Sequence, residues 1–302
     1  MKKIVIALLT IIFPLVIIAQ QKPAAPVTED KNEQSSGISV TPSSIRFNAK
    51  PGATTSKQVK VTNDTKKPFK FQTGFSDFQM DRNGKPQGIK ASESKYSLSK
   101  WISVSPSYFD LNPGESKTIT VTIDVPNSDT ANIAAWTILM IDQAIERAPL
   151  DANKGGKTIS MGITPSFGFG VYIYQNPPNV KTTSVEIKNF VYNDGKNMKV
   201  NKSANDKDAK PASPKKGLTM EVFNTGDGIG FCSSYVELTN KATGKQERLP
   251  VRQYTILPGF KRDFVYPLPE KIEPGSYSAV GILDFGSKES IEAMELEFTI
   301  QK

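Results

Sequence analysis

The sequence predicts an all-β protein: two β-sandwiches in tandem, placed after an export signal and a flexible leader. Three observations carry this. Apolar residues alternate with polar ones in short runs, and Gly, Pro and Asn turns separate the runs at the roughly 8–12-residue spacing of sandwich strands. Thr158–Tyr174 alternates almost without error over about three times the usual strand length of 5–6 residues. Asn176-Pro177-Pro178-Asn179 then divides the chain, because proline cannot donate to a sheet ladder and two in succession favour an extended spacer.

The N-terminus reads as a signal peptide over residues 1–19. Lys2 and Lys3 precede a run from Ile4 to Ala19 that is apolar apart from Thr10, and Ala19 offers a small residue for cleavage. The run is shorter than the ~20 residues of a spanning helix, and no second apolar span follows. The mature protein is therefore expected outside the cytoplasm without a membrane span. Residues 20–36 are polar, Pro- and Ala-containing and aperiodic, as in a flexible leader.

Residues 37–176 are expected to form the first domain. Ile38 and Val40 alternate, Pro42 breaks the run, and Ile45 and Phe47 resume it. Val59 and Val61 lead to a turn at Asn63-Asp64, and Phe69, Phe71 and Phe75 mark an aromatic strand. Asp81-Arg82-Asn83-Gly84 is a hairpin signal. Trp101–Leu111 reads as one strand, and Ile119–Val125 alternates up to Pro126. Ala134–Ile141 is apolar on both faces, which fits an inner strand and, by periodicity alone, also a helix. Arg147–Lys157 is a polar loop before the long strand.

Residues 177–302 repeat the style. Strands are expected around Val185–Tyr192, Leu218–Phe223, Phe231–Leu238, Tyr254–Leu257, Asp263–Pro267, Tyr277–Phe285 and Met294–Ile300. The low-complexity stretch 201–216 reads as a disordered insertion. Pro274-Gly275-Ser276-Tyr277 looks like a tyrosine corner, which ties down the chain at an immunoglobulin-type bend in the second sandwich. No sequence repeat links the halves beyond a Pro-Gly turn before a late strand in each, at Pro113-Gly114 and Pro274-Gly275.

Composition narrows the function. The formal charge of +8 falls to +6 once Lys2 and Lys3 leave, and the lysines are scattered over turns and solvent faces, against nucleic-acid binding. Cys232 is the single cysteine, so no internal disulfide forms, and its apolar surroundings predict a buried, inert thiol. There is no histidine, which removes Ser-His and Cys-His nucleophile pairs and imidazole metal ligands. The glycine-rich pieces Gly168-Phe169-Gly170 and Gly226–Gly230 lack the Lys-Ser/Thr and helix of a phosphate cradle. The carboxylates Asp77, Asp81, Asp206 and Asp208 form no ligand set or catalytic pair. The expectation is a protein without enzymatic activity or cofactor.

The long strand leaves two readings open. Its odd face either lines the core of its own sandwich, or overhangs it, so that Ile159, Met161 and Ile163 beside the polar loop add a strand to a partner.

Three stretches carry a family likeness: Ile45-Arg46-Phe47-Asn48, Leu111-Asn112-Pro113-Gly114-Glu115-Ser116, and the 158–174 strand ending Tyr174-Gln175-Asn176-Pro177. Over residues 38–177 the chain resembles the PapD-like periplasmic pilus-assembly chaperones. The resemblance implies that both sandwiches are immunoglobulin-like and that the last first-domain strand completes a secreted or surface-assembled subunit. It also implies a basic pair that anchors the subunit's C-terminal carboxylate. With Phe47 matched to the family's phenylalanine, the arginine's place falls near Ser44, and no lysine stands near Phe167–Val171. Arg46 and Lys157 are the basic residues available to substitute. Leu257-Pro258-Gly259-Phe260, Ile272–Tyr277 and Leu296–Ile300 are similar to the second domain of proteins that bind WxL surface proteins and peptidoglycan. The expected partner-binding residues are Ile159, Met161, Ile163, Phe167, Phe169, Arg46 and Lys157. The expected partners are secreted or surface protein subunits, in the periplasm or at the cell surface. The alternative is an adhesion or scaffold protein that binds wall polymer or another surface protein.

Overall fold

The computed structural model describes residues 37–301 except 91–92, 146–165, 179, 181–183, 196–215 and 287–290. The expected signal and leader, the Arg147–Lys157 loop and nearly all of the 201–216 insertion lie outside the described residues. So do Lys157, Ile159, Met161 and Ile163. Gly37–Lys302 forms one compact unit.

The first sandwich packs two sheets face to face. One has the order β1 (Ile38–Thr41), β3 (Thr54–Asn63), β9 (Ser116–Asp124), β7 (Ile102–Ser105). The other runs β2 (Ser44–Phe47), β11 (Gly168–Gln175), β10 (Ala135–Gln143), β4 (Phe69–Ser76), β8 (Tyr108–Leu111). Val59, Val61, Ile119, Val121 and Ile123 from the first sheet meet Phe71, Leu139, Ile141, Val171 and Ile173 from the second, all buried. Each such side chain stabilises the fold by about 1.5–3 kcal/mol relative to exposure.

Proline places two strand breaks. At Pro42 the chain leaves β1 in one sheet and enters β2 in the other. The expected single strand Trp101–Leu111 is instead β7 and β8, on opposite sheets, with Pro106 between them. The missing N–H of Pro106 cannot continue a ladder, so the switch falls there. Ala134–Ile141 is a strand, since β10 is paired on both sides, by β11 and β4.

The second sandwich pairs β12 (Val185–Asn193), β13 (Gly217–Asn224) and β17 (Lys261–Pro267) in one sheet. The other has β15 (Gln246–Arg248), β14 (Gly230–Asn240), β18 (Gly275–Asp284) and β19 (Glu292–Ile300), with β16 (Arg252–Ile256) also on β14. The tyrosine corner is present: Tyr277 Oη donates to Glu273 O at 2.9 Å. Cys232 is fully buried, and burial pushes its thiol up to about 12, so it stays protonated and inert.

A repeated device joins the two sandwiches in design. Asn63 and Asn224 are each fully buried at the end of a core strand. Asn63 Nδ2 donates to Lys67 O (2.8 Å) and Leu111 O (3.0 Å), and its Oδ1 accepts from Thr65 N (3.0 Å). Asn224 Nδ2 donates to Gly228 O (2.9 Å) and Ile256 O (3.0 Å), and its Oδ1 accepts from Gly226 N (2.9 Å). Gly114 N and Gly259 N, both at left-handed φ, donate to the carbonyls of Asn63 and Asn224 at 2.8 and 2.9 Å. The counterpart of Pro113-Gly114 is therefore Pro258-Gly259, not Pro274-Gly275. Asn63→Ala and Asn224→Ala are each expected to lower the unfolding free energy by about 2–3 kcal/mol, because each strands buried carbonyls. Urea unfolding checks this, and a loss in only one variant would mean the two plugs are not equivalent.

A third apolar cluster lies where the sandwiches meet. Phe78, Trp136, Ile138 and Tyr174 from the first half pack with Ile229 and Leu257 from the second. Two successive side-chain amides hold the chain there. Gln175 exchanges two hydrogen bonds with the backbone of Ala49 (3.1 and 2.6 Å), and Asn176 does the same with Ile229 (2.9 and 3.1 Å). In place of the extended spacer expected from Pro177-Pro178, Val180 N turns back to Pro177 O at 3.1 Å.

The hairpin β5 (Phe78–Met80) and β6 (Pro86–Gly88) forms where the Asn-Gly signal placed it, and its tip binds the second sandwich. Arg82 O accepts from Asp263 N (2.7 Å), and the Arg82 guanidinium reaches Asp263 Oδ1 (2.7 Å) and Glu221 Oε2 (2.5 Å). Lys261 also reaches Glu221, at 3.0 Å. Gly84 has φ +79°, where glycine is favoured, and a Cβ there would have to displace the Arg262 guanidinium.

Hydrogen bonds from Arg82 and then Lys261 hold the Glu221 carboxyl below its ordinary value of 4.5. A carboxylate depressed in the folded state stabilises above its unfolded pKa, and that contribution disappears as pH falls through the lower folded value. Arg82→Ala is thus expected to lower the melting temperature near neutral pH and to cost less once Glu221 is protonated, the contact with Asp263 remaining. Melting curves across this acid range check it. An equal loss at both ends would assign Arg82 a packing role only.

Candidate functional site

The site is built on the uneven pairing of β11. β10 covers its whole length, from Ala135↔Gln175 to Asp142↔Gly168. On the other side β2 runs parallel to it and pairs only Tyr172–Gln175, through Ser44–Phe47. Among the described residues, Gly168–Val171 therefore has no neighbour on that side and forms an open edge.

The direction of the backbone groups follows from two bonds. Gln143 N donates to Phe167 O (3.0 Å), and Tyr172 N donates to Ser43 O (3.1 Å). Odd residues of β11 thus bond to β10, and even residues point to the β2 side. Gly168 and Gly170 aim their N–H and C=O groups at the open edge, and neither carries a side chain that would shield them.

The odd face changes character along the strand. Ile173 and Val171 are 0% and 1% exposed, Phe169 is half-buried, and Phe167 is 38% exposed. Phe167 rests edge-on against Phe69 (5.4 Å), Phe71 (6.1 Å) and Phe169 (5.8 Å) at the rim of the core. The apolar face thus emerges from its own sandwich toward the N-terminal end of β11. Ile159, Met161 and Ile163 continue the alternation in sequence but lie outside the described residues.

The even face is the outer face of the sheet, and small residues dominate it near the edge. Met140 is flanked in register by Gly170 on β11 and Gly74 on β4, and both glycines are exposed. Gly168 and Gly170 are closely packed against β10. A Cβ on Gly170 would lie 3.1 Å from Ile138 Cγ2, and one on Gly168 would fall within the Asp142 carboxylate.

The basic residues fall elsewhere. Arg46 is paired with Tyr174 and stacks over the Phe231 ring, 3.6 Å from its centroid, so it bridges the two sandwiches. Ser44 is paired with Tyr172. The position matched to an arginine in the sequence resemblance thus presents two hydroxyl-bearing residues. Burial, then the neighbouring Tyr172, keeps the Tyr174 phenol protonated well above its ordinary range. Asp142 and the glycine pair were not singled out in sequence as binding residues; the glycines take small, even-numbered positions of the alternation, and Asp142 lies outside it.

No family model matches the sequence, and no curated protein matches it. Among solved structures the chain is similar to a chaperone–tip adhesin complex of CFA/I fimbriae, with 12% identity over 87% of this chain and 98% of that one, at a TM-score of 0.42. It is similar to the class 5 fimbriae chaperone CfaA, with 13% identity over 86% and 98% and a TM-score of 0.41. It is also similar to the E. coli chaperone DraB, with 15% identity over 86% and 98% and a TM-score of 0.40. The solved structures that this chain is similar to thus include fimbrial chaperones, the class its first half resembles in sequence.

Proposed function

We propose that this protein is a non-enzymatic, exported chaperone-like protein that holds secreted or surface-assembled protein subunits by β-strand addition along β11. One observation carries the reading: among the described residues, Gly168–Val171 are unpaired on one side, with two glycine amides aimed outward. An open edge of this kind pairs with an extended segment, the backbone supplying affinity and alternate side chains specificity. The apolar face that emerges at Phe169 and Phe167 supports the same reading, and Ile159, Met161 and Ile163 extend it. The domain division at 176/177, the signal over residues 1–19 and the leader over 20–36 belong to this proposal. In it Phe167 and Phe169 border the partner, while Arg46 sets the angle between the sandwiches and Lys157 flanks the added strand.

The test replaces Ile159, Met161 and Ile163 together with Asp and crosslinks the full chain in its native envelope. Partner capture is expected to disappear while thermal melting stays cooperative. Loss of the melting transition would assign the three side chains to the core of their own sandwich and reject the reading.

A further inference from the structure

Resting on the strand-addition reading, we infer that the segment added at Gly168–Gly170 carries a lysine or arginine that pairs with Asp142. Asp142 sits on β10 directly opposite Gly168, on the outer face of the sheet. The Asp142 Cγ lies 3.2 Å from the position a Gly168 Cβ would take, and its Oδ1 overlaps that position. The carboxylate therefore occupies the place of the missing side chain and leans across β11 toward the open edge. Among the described residues Asp142 has no hydrogen bond or ion pair, and its other cross-strand neighbour is the neutral Gln72.

An added strand runs about 4.8 Å from β11. Its residue opposite Gly168 directs its side chain to the face that carries Asp142, since cross-strand partners share a face. Glycine at 168 leaves nothing between the two. A lysine or arginine spans the remaining gap, its aliphatic stem crossing over Gly168. A glutamate at the same position meets a like charge. The sign is opposite to the basic anchor that the sequence resemblance implies, so Asp142 discriminates by a feature of its own.

The probes are capped synthetic peptides of about ten residues, alternating valine and threonine, with a central lysine, norleucine or glutamate. Their affinities for the full chain are measured by fluorescence anisotropy. The lysine peptide is expected to bind about fivefold more tightly than the norleucine peptide, and the glutamate peptide more weakly than either. In Asp142→Asn the lysine and norleucine affinities converge. In Gly168→Ala the added Cβ displaces the carboxylate and the lysine advantage shrinks. High salt shrinks it in the unaltered chain. Equal affinities of the lysine and norleucine peptides for the unaltered chain overturn the pairing and leave strand addition standing. Failure of all three peptides to bind overturns strand addition, and the pairing with it.

Discussion

Replacing Trp136 with alanine is expected to lower the unfolding free energy by about 3–5 kcal/mol, the cost of a large core deletion. Trp136 is 2% exposed on the outward face of β10, where most sheet residues would meet water. It is dry because it sits in the cluster that Phe78 and Tyr96 of the first half share with Ile229 and Leu257 of the second. Its indole N–H donates to Phe78 O at 2.7 Å, and its ring stacks on Tyr96 at 4.6 Å. Phe78 opens the hairpin whose tip carries Arg82, so the deletion also loosens the contact with Asp263 and Glu221. Trp136→Phe keeps most of the apolar volume but strands a buried carbonyl, at about 1–2 kcal/mol. Urea unfolding measures both. A cost below about 1 kcal/mol for the alanine variant would mean that the cluster collapses around the gap and that the halves are not joined by a continuous core.

Gly170→Pro is expected to weaken partner binding about tenfold while leaving the β10–β11 ladder intact. The Gly170 N–H points to the open edge, so proline removes a donor that only an added strand uses. One backbone hydrogen bond contributes about 1–1.5 kcal/mol, which is close to a factor of ten in affinity. Gly170→Ala is the control: it introduces the same Cβ against Ile138 Cγ2 but keeps the N–H. Binding assays on the two variants separate the amide from the steric change. Equal weakening in both would place the effect in packing rather than in strand addition.

Much of the fold was legible because it follows from local chemistry. Val59 and Val61, Ile119 to Ile123, and Val171 and Ile173 alternate as half-buried strands must, and all are buried. Asp81–Gly84 formed its hairpin, and Tyr277 formed its corner, because both motifs close over a few residues. The misreadings were of a different kind. Trp101–Leu111 reads as one strand, and only the location of the two sheets decides that Pro106 separates strands of opposite sheets. Pro177-Pro178 reads as a spacer, because the clasps of Gln175 and Asn176 join residues more than fifty positions apart. The site divides in the same way. The apolar face of Phe167 and Phe169 could be read from alternation. The open edge could not, since it depends on β2 starting four residues late along β11, and Arg46 could not be placed until Phe231 stood beneath it.

By itself the sequence determined which segments are extended and which side of each is apolar. Those properties belong to residues and their immediate neighbours along the chain. The tertiary structure alone decided which edge stays unpaired, which carboxylate leans over a glycine beside it, and how Trp136 becomes dry. Each of these depends on distances between strands remote in sequence, and the period of a strand fixes the face a side chain takes but not the partner that face will meet.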